Sequence, residues 1–230
     1  MKIFRSRFML LVLATLALRF ILMIALPLAD STEGRYAMIG ARMLTESDWV
    51  TPRVWFKGED LPFLGKPPLH FWGEAVAMQL IGLNELAARL PAFVAGAVLL
   101  GLMFTVLKRY RDRRLAQQAV LMTATTVMFF ILSGAVAVDL TLATFSTGGI
   151  LAYMGFLAAE EPRVRRRFSL LVFACLGLGF MTKGPIALLM FGLPVFAWTL
   201  INRQWQTLRG HAWGLGITLF LLITVPWFAV

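Results

Sequence analysis

Cysteine is nearly absent: the 230 residues contain one, Cys175, inside an apolar run. A single thiol builds no disulfide framework, and a small packing residue is its plainest reading. Histidine is almost as scarce, with two. His70 shows no second His, Cys or close carboxylate at ligand spacing, so the sequence offers no metal motif and names no cofactor, with a divalent cation left open. There is no GxGxxG and no P-loop, which removes the usual nucleotide cradles. No clear internal repeat is present. No small-x-small cleavage site precedes Asp30, so the first apolar run reads as a retained signal-anchor and not as a cleaved leader. Acidic residues are also few, 12 against 22 basic ones, for a net charge of +10.

What the chain has instead is apolar length. Hydrophobic residues make up 59% of it, and the mean hydropathy is +0.77. Soluble domains average about 45–50% apolar. Phe8–Ala29 contains one charge, Arg19; 115–159 contains one, Asp139; 168–202 contains one, Lys183. A helix crosses a bilayer with about 20 apolar residues, so the expected fold class is an all-α integral membrane bundle. Spans are expected at about 8–29, 91–107, 115–132, 140–159, 169–182, 186–201 and 212–230. The 168–202 run breaks at Thr182–Pro185, "TKGP", where Gly and Pro mark a turn. The chain stops inside or just after the last span, which reads as the N-terminal part of a longer protein.

The net charge suggests nucleic acid until its positions are read. Fourteen basic residues sit in four short loops: Lys2–Arg7, Lys108–Arg114, Arg163–Arg167 and Arg203–Arg209. The positive-inside rule puts these loops in the cytoplasm and the mixed-charge segment 30–90 outside. Topology and anionic headgroups account for the charge, and nucleic acid is not needed.

The outer segment opens with "DSTEGRYAMIGARML". Tyr36, Ile39, Gly40 and Met43 follow a helical stripe. Asp30 and Glu33 fit a capping box, which is one account of both carboxylates. A short amphipathic helix on the membrane surface fits, as does one packed on other spans. "KGED", 57–60, is a turn candidate. In "GKPPLHFW", 65–72, two prolines stiffen the path and hold Lys66 in place. The aromatic residues here also suit an interfacial belt.

The topology gathers Asp139, Thr182, Lys183 and Arg89 on the side of the outer segment. Charges at membrane depth are costly and usually functional. A plain Asp139–Lys183 salt bridge is one reading; a shared polar site is the sharper one. Lys66 and Lys183, with Arg35 or Arg89, suit a phosphate that cannot leave the bilayer. A carboxylate opposite them suits a base for an incoming hydroxyl or amine. Together these are the parts for glycosyl transfer from a polyprenyl-phosphate sugar, a donor that needs no nucleotide loop. A transporter or flippase for an anionic lipid or solute would use the same cations, but it favours midplane charges and internal repeats. A structural membrane subunit would leave the outer motifs unexplained.

The order "TEGRYAMIGARML…DWVTP", "GKPPLHFW", "NELAARLPA", "YRDRRLA", "AVDLTLA", "MTKGPIAL" and "TVPWFAV" resembles the polyprenyl-phosphate-dependent glycosyltransferases of the GT-C fold, close to the lipid A aminoarabinose transferases and the protein mannosyltransferase superfamily. The resemblance covers nearly all of 30–230. It implies a multi-span inner-membrane transferase with a periplasmic active site, a polyprenyl-phosphate sugar donor and a lipid, glycan or protein acceptor. It implies direct displacement with inversion, a catalytic carboxylate at Glu33 or Asp30, an acceptor- or donor-positioning Asp139, and donor phosphate held by Lys66 and Lys183, with Arg35 a lesser candidate. Two positions depart from the family pattern: Thr32 stands where an Asp is common, and Gly65 where a Glu is common. Full-length members have further spans and a C-terminal soluble domain.

Overall fold

A computed structural model of the chain describes residues 2–28, 31–56 and 58–229. Among them are eleven helices and one two-stranded hairpin. By length and composition three helices can cross a membrane: α1 (Lys2–Ala25, through Phe8–Ala25), α4 (Glu85–Tyr110) and α7 (Asp139–Ala158). The shorter α9 (Ile186–Asn202) and α11 (Trp213–Phe228) are apolar along their length. On α1, Leu10, Leu13, Leu18, Ile21 and Ile24 are all exposed, as suits a helix whose solvent is lipid. The chain forms two compact units. One runs to Phe63 and takes up again from His70 to Thr141; the other holds Leu64–Leu69 and the chain from Leu142.

In the first unit, the segment after α1 is a packed assembly and not a helix resting on a surface. The stripe of α2 (Ser31–Thr45) turns Tyr36, Ile39 and Met43 inward against Phe71, Ala75 and Met78 of α3 (Leu69–Ile81) and Ala87 and Ala88 of α4. Tyr36 and Phe71 meet edge to face at 5.5 Å, and Trp72 Nε1 donates to the Trp49 carbonyl at 2.6 Å. Of the two settings left open for α2, packing on other helices is the one observed. Aromatic residues expected in an interfacial belt here include core members.

Gly58, Glu59 and Asp60 of the expected KGED turn lie in a hairpin, and Lys57 lies outside the described residues. β1 (Arg53–Phe56) pairs antiparallel with β2 (Glu59–Pro62), Phe56 opposite Glu59. Gly58 takes the left-handed φ of 85° that the tight reversal needs. Asp60 clamps the hairpin to α2: Arg42 Nη1 donates to Oδ1 at 2.8 Å and Arg53 Nε to Oδ2 at 2.9 Å. These guanidinium groups, Arg42 foremost, hold the Asp60 carboxyl below its ordinary range.

Capping residues set the later boundaries. Asn84 accepts from Ala87 N–H at 2.9 Å and starts α4 at Glu85, ahead of the 91 expected from sequence. Pro91 is carried inside the helix. Asp112 caps α5 (Arg113–Thr125), accepting from Leu115 N–H at 2.9 Å. The expected 115–132 span is two helices: Thr126 ends α5 and caps α6 (Val127–Leu132), its hydroxyl oxygen receiving Phe129 N–H.

In the second unit α8 (Pro162–Lys183) packs on α9 and α11. Gly216 of α11 lies so close to Phe173 that no Cβ fits there, and a Cβ at Gly177 would lie 3.1 Å from Ile223. Small residues let membrane helices approach closely. His211, between α10 (Trp205–Arg209) and α11, stacks on Phe156 at 3.8 Å. The Ser169 hydroxyl receives Ala212 N–H at 3.0 Å and lies 3.0 Å from His211 Nδ1. With the Ser169 hydrogen directed at Nδ1, the imidazole is neutral.

Burial first, and Arg165 second, push His211 down to about 4. An unfolded chain binds a proton near 6.5, so between 6.5 and about 4 it holds more protons than the folded one. The His211 contribution is therefore complete above pH 6.5 and lost as pH falls toward 4. Thermal unfolding in micelles across this window should show a falling midpoint, and His211→Phe should remove that part of the slope; an unchanged slope in the variant sinks the assignment.

Candidate active site

Arg89 sits in the second turn of α4 and is 4% exposed. A guanidinium has five N–H donors, and this one makes five bonds. Nη1 donates to the carbonyls of Met23 at 2.9 Å and Leu26 at 2.6 Å. Nη2 donates to Pro27 O at 2.9 Å and Glu33 Oε2 at 3.1 Å, and Nε to Glu33 Oε1 at 3.3 Å. The carbonyl groups belong to the C-terminal end of α1, where a helix leaves acceptors unpaired and favours positive charge.

Glu33, in the first turn of α2, therefore faces Arg89 with both oxygens. Its Oε1 also accepts the backbone N–H of Val136 at 2.9 Å. Its side chain is 12% exposed. Glu33, one of the two carboxylates that the resemblance implies as base, is a half-buried brace between α2, α4 and the 133–138 loop. Asp30, the second candidate, and the capping box built on it lie outside the described residues.

Asp139 opens α7, half-buried, where the helix N-terminus favours a carboxylate. Its segment is held from both sides. Arg19 Nη2 donates to Ile131 O at 2.8 Å and Glu33 receives Val136 N–H. On the far side, His70 Nδ1 lies 3.0 Å from Thr141 Oγ1. Gly134 leaves room for Arg19, whose guanidinium occupies the space a Cβ would need.

Behind His70 stands a residue that sequence reasoning missed. Glu74 is fully buried one turn along α3, with Oε1 3.3 Å from His70 Nε2. His70 does have a carboxylate at close spacing, and H-x-x-x-E on one apolar helix is the signal that could have revealed it. Neither Glu74 oxygen has a hydrogen bond of good geometry. Burial pushes its carboxyl well above the ordinary range. Gly40 of α2 makes the space: a Cβ there would lie 2.6 Å from Glu74 Oε2. Among the described residues no cluster of three metal-ligating side chains forms.

The cations are distributed differently. Arg35, two positions from Glu33, is exposed on another flank of α2. It lines a cleft of about 590 Å³ with Met38, Trp55, Phe56 and Phe63. Lys66 and Lys183 belong to the second unit and are half-buried. Lys66 directly precedes the buried Pro67 and Pro68, and Lys183 ends α8, where Gly184 turns the chain with φ 69°. Thr182 is buried and spends its hydroxyl on Leu178 O at 2.9 Å.

Residues 65–229 match the family profile described as dolichyl-phosphate-mannose-protein mannosyltransferase. Undecaprenyl phosphate-alpha-4-amino-4-deoxy-L-arabinose arabinosyl transferase of Pseudomonas aeruginosa (strain LESB58) is 32% identical over 85% of this chain and 35% of its own length. The enzyme of that name from Edwardsiella ictaluri is 30% identical over 93% of this chain and 39% of its own. Among solved structures, ArnT from Cupriavidus metallidurans bound to undecaprenyl phosphate superposes with a TM-score of 0.88 at 29% identity, over 96% of this chain and 40% of that one. Its apo form gives 0.87 at 28%. The chain thus spans little more than a third of the curated relatives it matches. The fold is the all-α, GT-C-type membrane bundle expected from the sequence.

Removing one partner of a buried ion pair leaves the other charge stranded, at about 3–5 kcal/mol. Arg89→Met should destabilise the protein on that scale, and Arg89→Met with Glu33→Gln should recover part of the loss; purely additive thermal shifts would rule out the pairing. Gly40→Ala should cost about 1–3 kcal/mol by overpacking Glu74, read by the same melts.

Proposed function

The chain belongs to the dolichyl-phosphate-mannose-protein mannosyltransferase family, and from that premise we propose that it is part of a membrane glycosyltransferase that takes its sugar from a polyprenyl phosphate. The observation that carries this is the superposition of 96% of the chain on a transferase crystallised with undecaprenyl phosphate. By likeness to its relatives' names, the donor sugar is 4-amino-4-deoxy-L-arabinose or a close analogue on undecaprenyl phosphate. The acceptor is a lipid, glycan or protein, with lipid A favoured by the family resemblance. In this reading the protein lies in a bacterial inner membrane with its N-terminus cytoplasmic and its chemistry periplasmic.

The acceptor oxygen attacks the anomeric carbon, the bond to the phosphate oxygen breaks, and the configuration inverts. The acceptor proton goes to a carboxylate. We assign that carboxylate to Asp139, because its segment is held by Glu33 at the Val136 N–H and by His70 at the Thr141 hydroxyl, and a general base must be fixed in place. Glu33, with both oxygens already accepting hydrogen bonds, holds the frame. Asp30 remains the alternative base. Lys66 and Lys183 neutralise the charge on the departing polyprenyl phosphate, and Arg35 is a lesser contact for the same group or for the acceptor.

Turnover of the full-length protein with an undecaprenyl-phosphate sugar tests each role. Asp139→Asn should lower kcat by about 10²–10⁴, with Asp30→Asn close to wild type. Lys66→Ala and Lys183→Ala should each cost on the order of 10²–10³ while membrane insertion is kept. Full turnover in Asp139→Asn removes it as base; full turnover in both lysine variants removes the phosphate assignment.

A further inference from the structure

The first unit contains a groove that the proposed chemistry does not use. It has a volume of about 510 Å³ and is walled by α1, α4 and α5. Its walls are apolar, Leu13, Leu16, Leu100 and Phe104 among them, except for the buried Gln117 and the cations near one end. There stand Lys108, in the last turn of α4, and Arg113, the first residue of α5, both exposed. Among the described residues no acidic side chain lines the groove, and the neighbouring Asp112 is occupied as the α5 cap. Arg109, Arg111 and Arg114 add charge at the same end.

The dimensions select the occupant. From Ala97 to Lys108, both in the wall, α4 rises ~16 Å at ~1.5 Å per residue. That is about half the ~30 Å hydrocarbon core, the depth of one leaflet. An extended hydrocarbon chain with a negative headgroup matches both the apolar walls and the cationic end. Basic pockets between membrane helices are known to take anionic lipid headgroups. Gly101 lies in the wall, and a Cβ built on it meets nothing within 4 Å, so its side opens into free space.

We propose that this groove binds one acyl chain of an anionic phospholipid from the leaflet at the 108–114 loop, its headgroup phosphate held by Lys108 and Arg113. The lipid ties the first membrane helix to α4 and α5 at that face. The inference stands on groove shape and charge and is independent of the transferase reading.

Native mass spectrometry tests it on the full-length protein released from nanodiscs of equimolar dioleoyl phosphatidylglycerol and dioleoyl phosphatidylcholine. Wild type should retain one phosphatidylglycerol in clear preference. Lys108→Gln and Arg113→Gln should each lower that preference about fivefold, since each cation near an anionic headgroup is worth a factor of that order. Gly101→Leu should fill the groove and remove the retained lipid, with an unchanged thermal midpoint in lipid-free micelles showing that the fold survives. Equal retention of both lipids, no retained lipid in wild type, or a phosphatidylglycerol adduct that persists in Gly101→Leu would each overturn the proposal. If Gly101→Leu fails to fold, Gly101→Ala and Leu13→Phe supply the narrowing, and undiminished retention in both overturns it equally.

Discussion

The first unit depends on one ion pair. Arg89 has five N–H groups and spends all of them, three on carbonyls at the end of α1 and two on Glu33. A membrane helix that stops in a dry place must find donors for its last carbonyls. Here the donor comes from α4, and its charge is balanced by a carboxylate from α2. The second oxygen partner of Glu33, the Val136 N–H, extends the same contact to the loop before α7. One pair thus joins four parts of the chain that are far apart in sequence. A buried pair of this kind adds little net stability over apolar packing, but losing one member is severe. Its value lies in fixing one arrangement.

That arrangement shapes the ground around Asp139. Arg19, Glu33 and His70 each hold one point of the segment from Ile131 to Thr141. Glu74 stands behind His70 with Gly40 making room for it. A site group is useful only when its support is rigid, and here the support is a line of polar side chains, Arg19 and Glu33 half-buried and His70 and Glu74 buried. The tight packing has a chemical consequence: burial pushes the Glu74 carboxyl, 3.3 Å from the His70 imidazole, well above its ordinary range.

The second unit is built on other terms. Glycines at 177 and 216 admit Ile223 and Phe173 against bare backbone, so close helix contact replaces polar bracing. The polar exception is at its edge, where His211 stacks on Phe156 and shares Ser169 with the start of α11. Cationic side chains mark helix ends in both units: Lys108 and Arg113 around the break between α4 and α5, Lys183 at the end of α8.

By itself the sequence determined the class of protein. Apolar runs, each with one charge, require a helical membrane bundle, because only helices satisfy every backbone group within such a segment. The motif order identified the family and singled out Glu33, Asp139, Lys66 and Lys183 as residues to watch. Only the tertiary structure decided what Glu33 touches, since Arg89 is 56 positions away and no periodicity links them. It likewise turned α2 inward, divided the 115–132 run at Thr126, and exposed Glu74, which on sequence is one acid on an apolar helix. The reason is physical. Hydrophobic pattern and caps are local and can be read along the chain, whereas the partner of a buried charge is chosen by whichever distant backbone is left without a hydrogen bond when the helices pack.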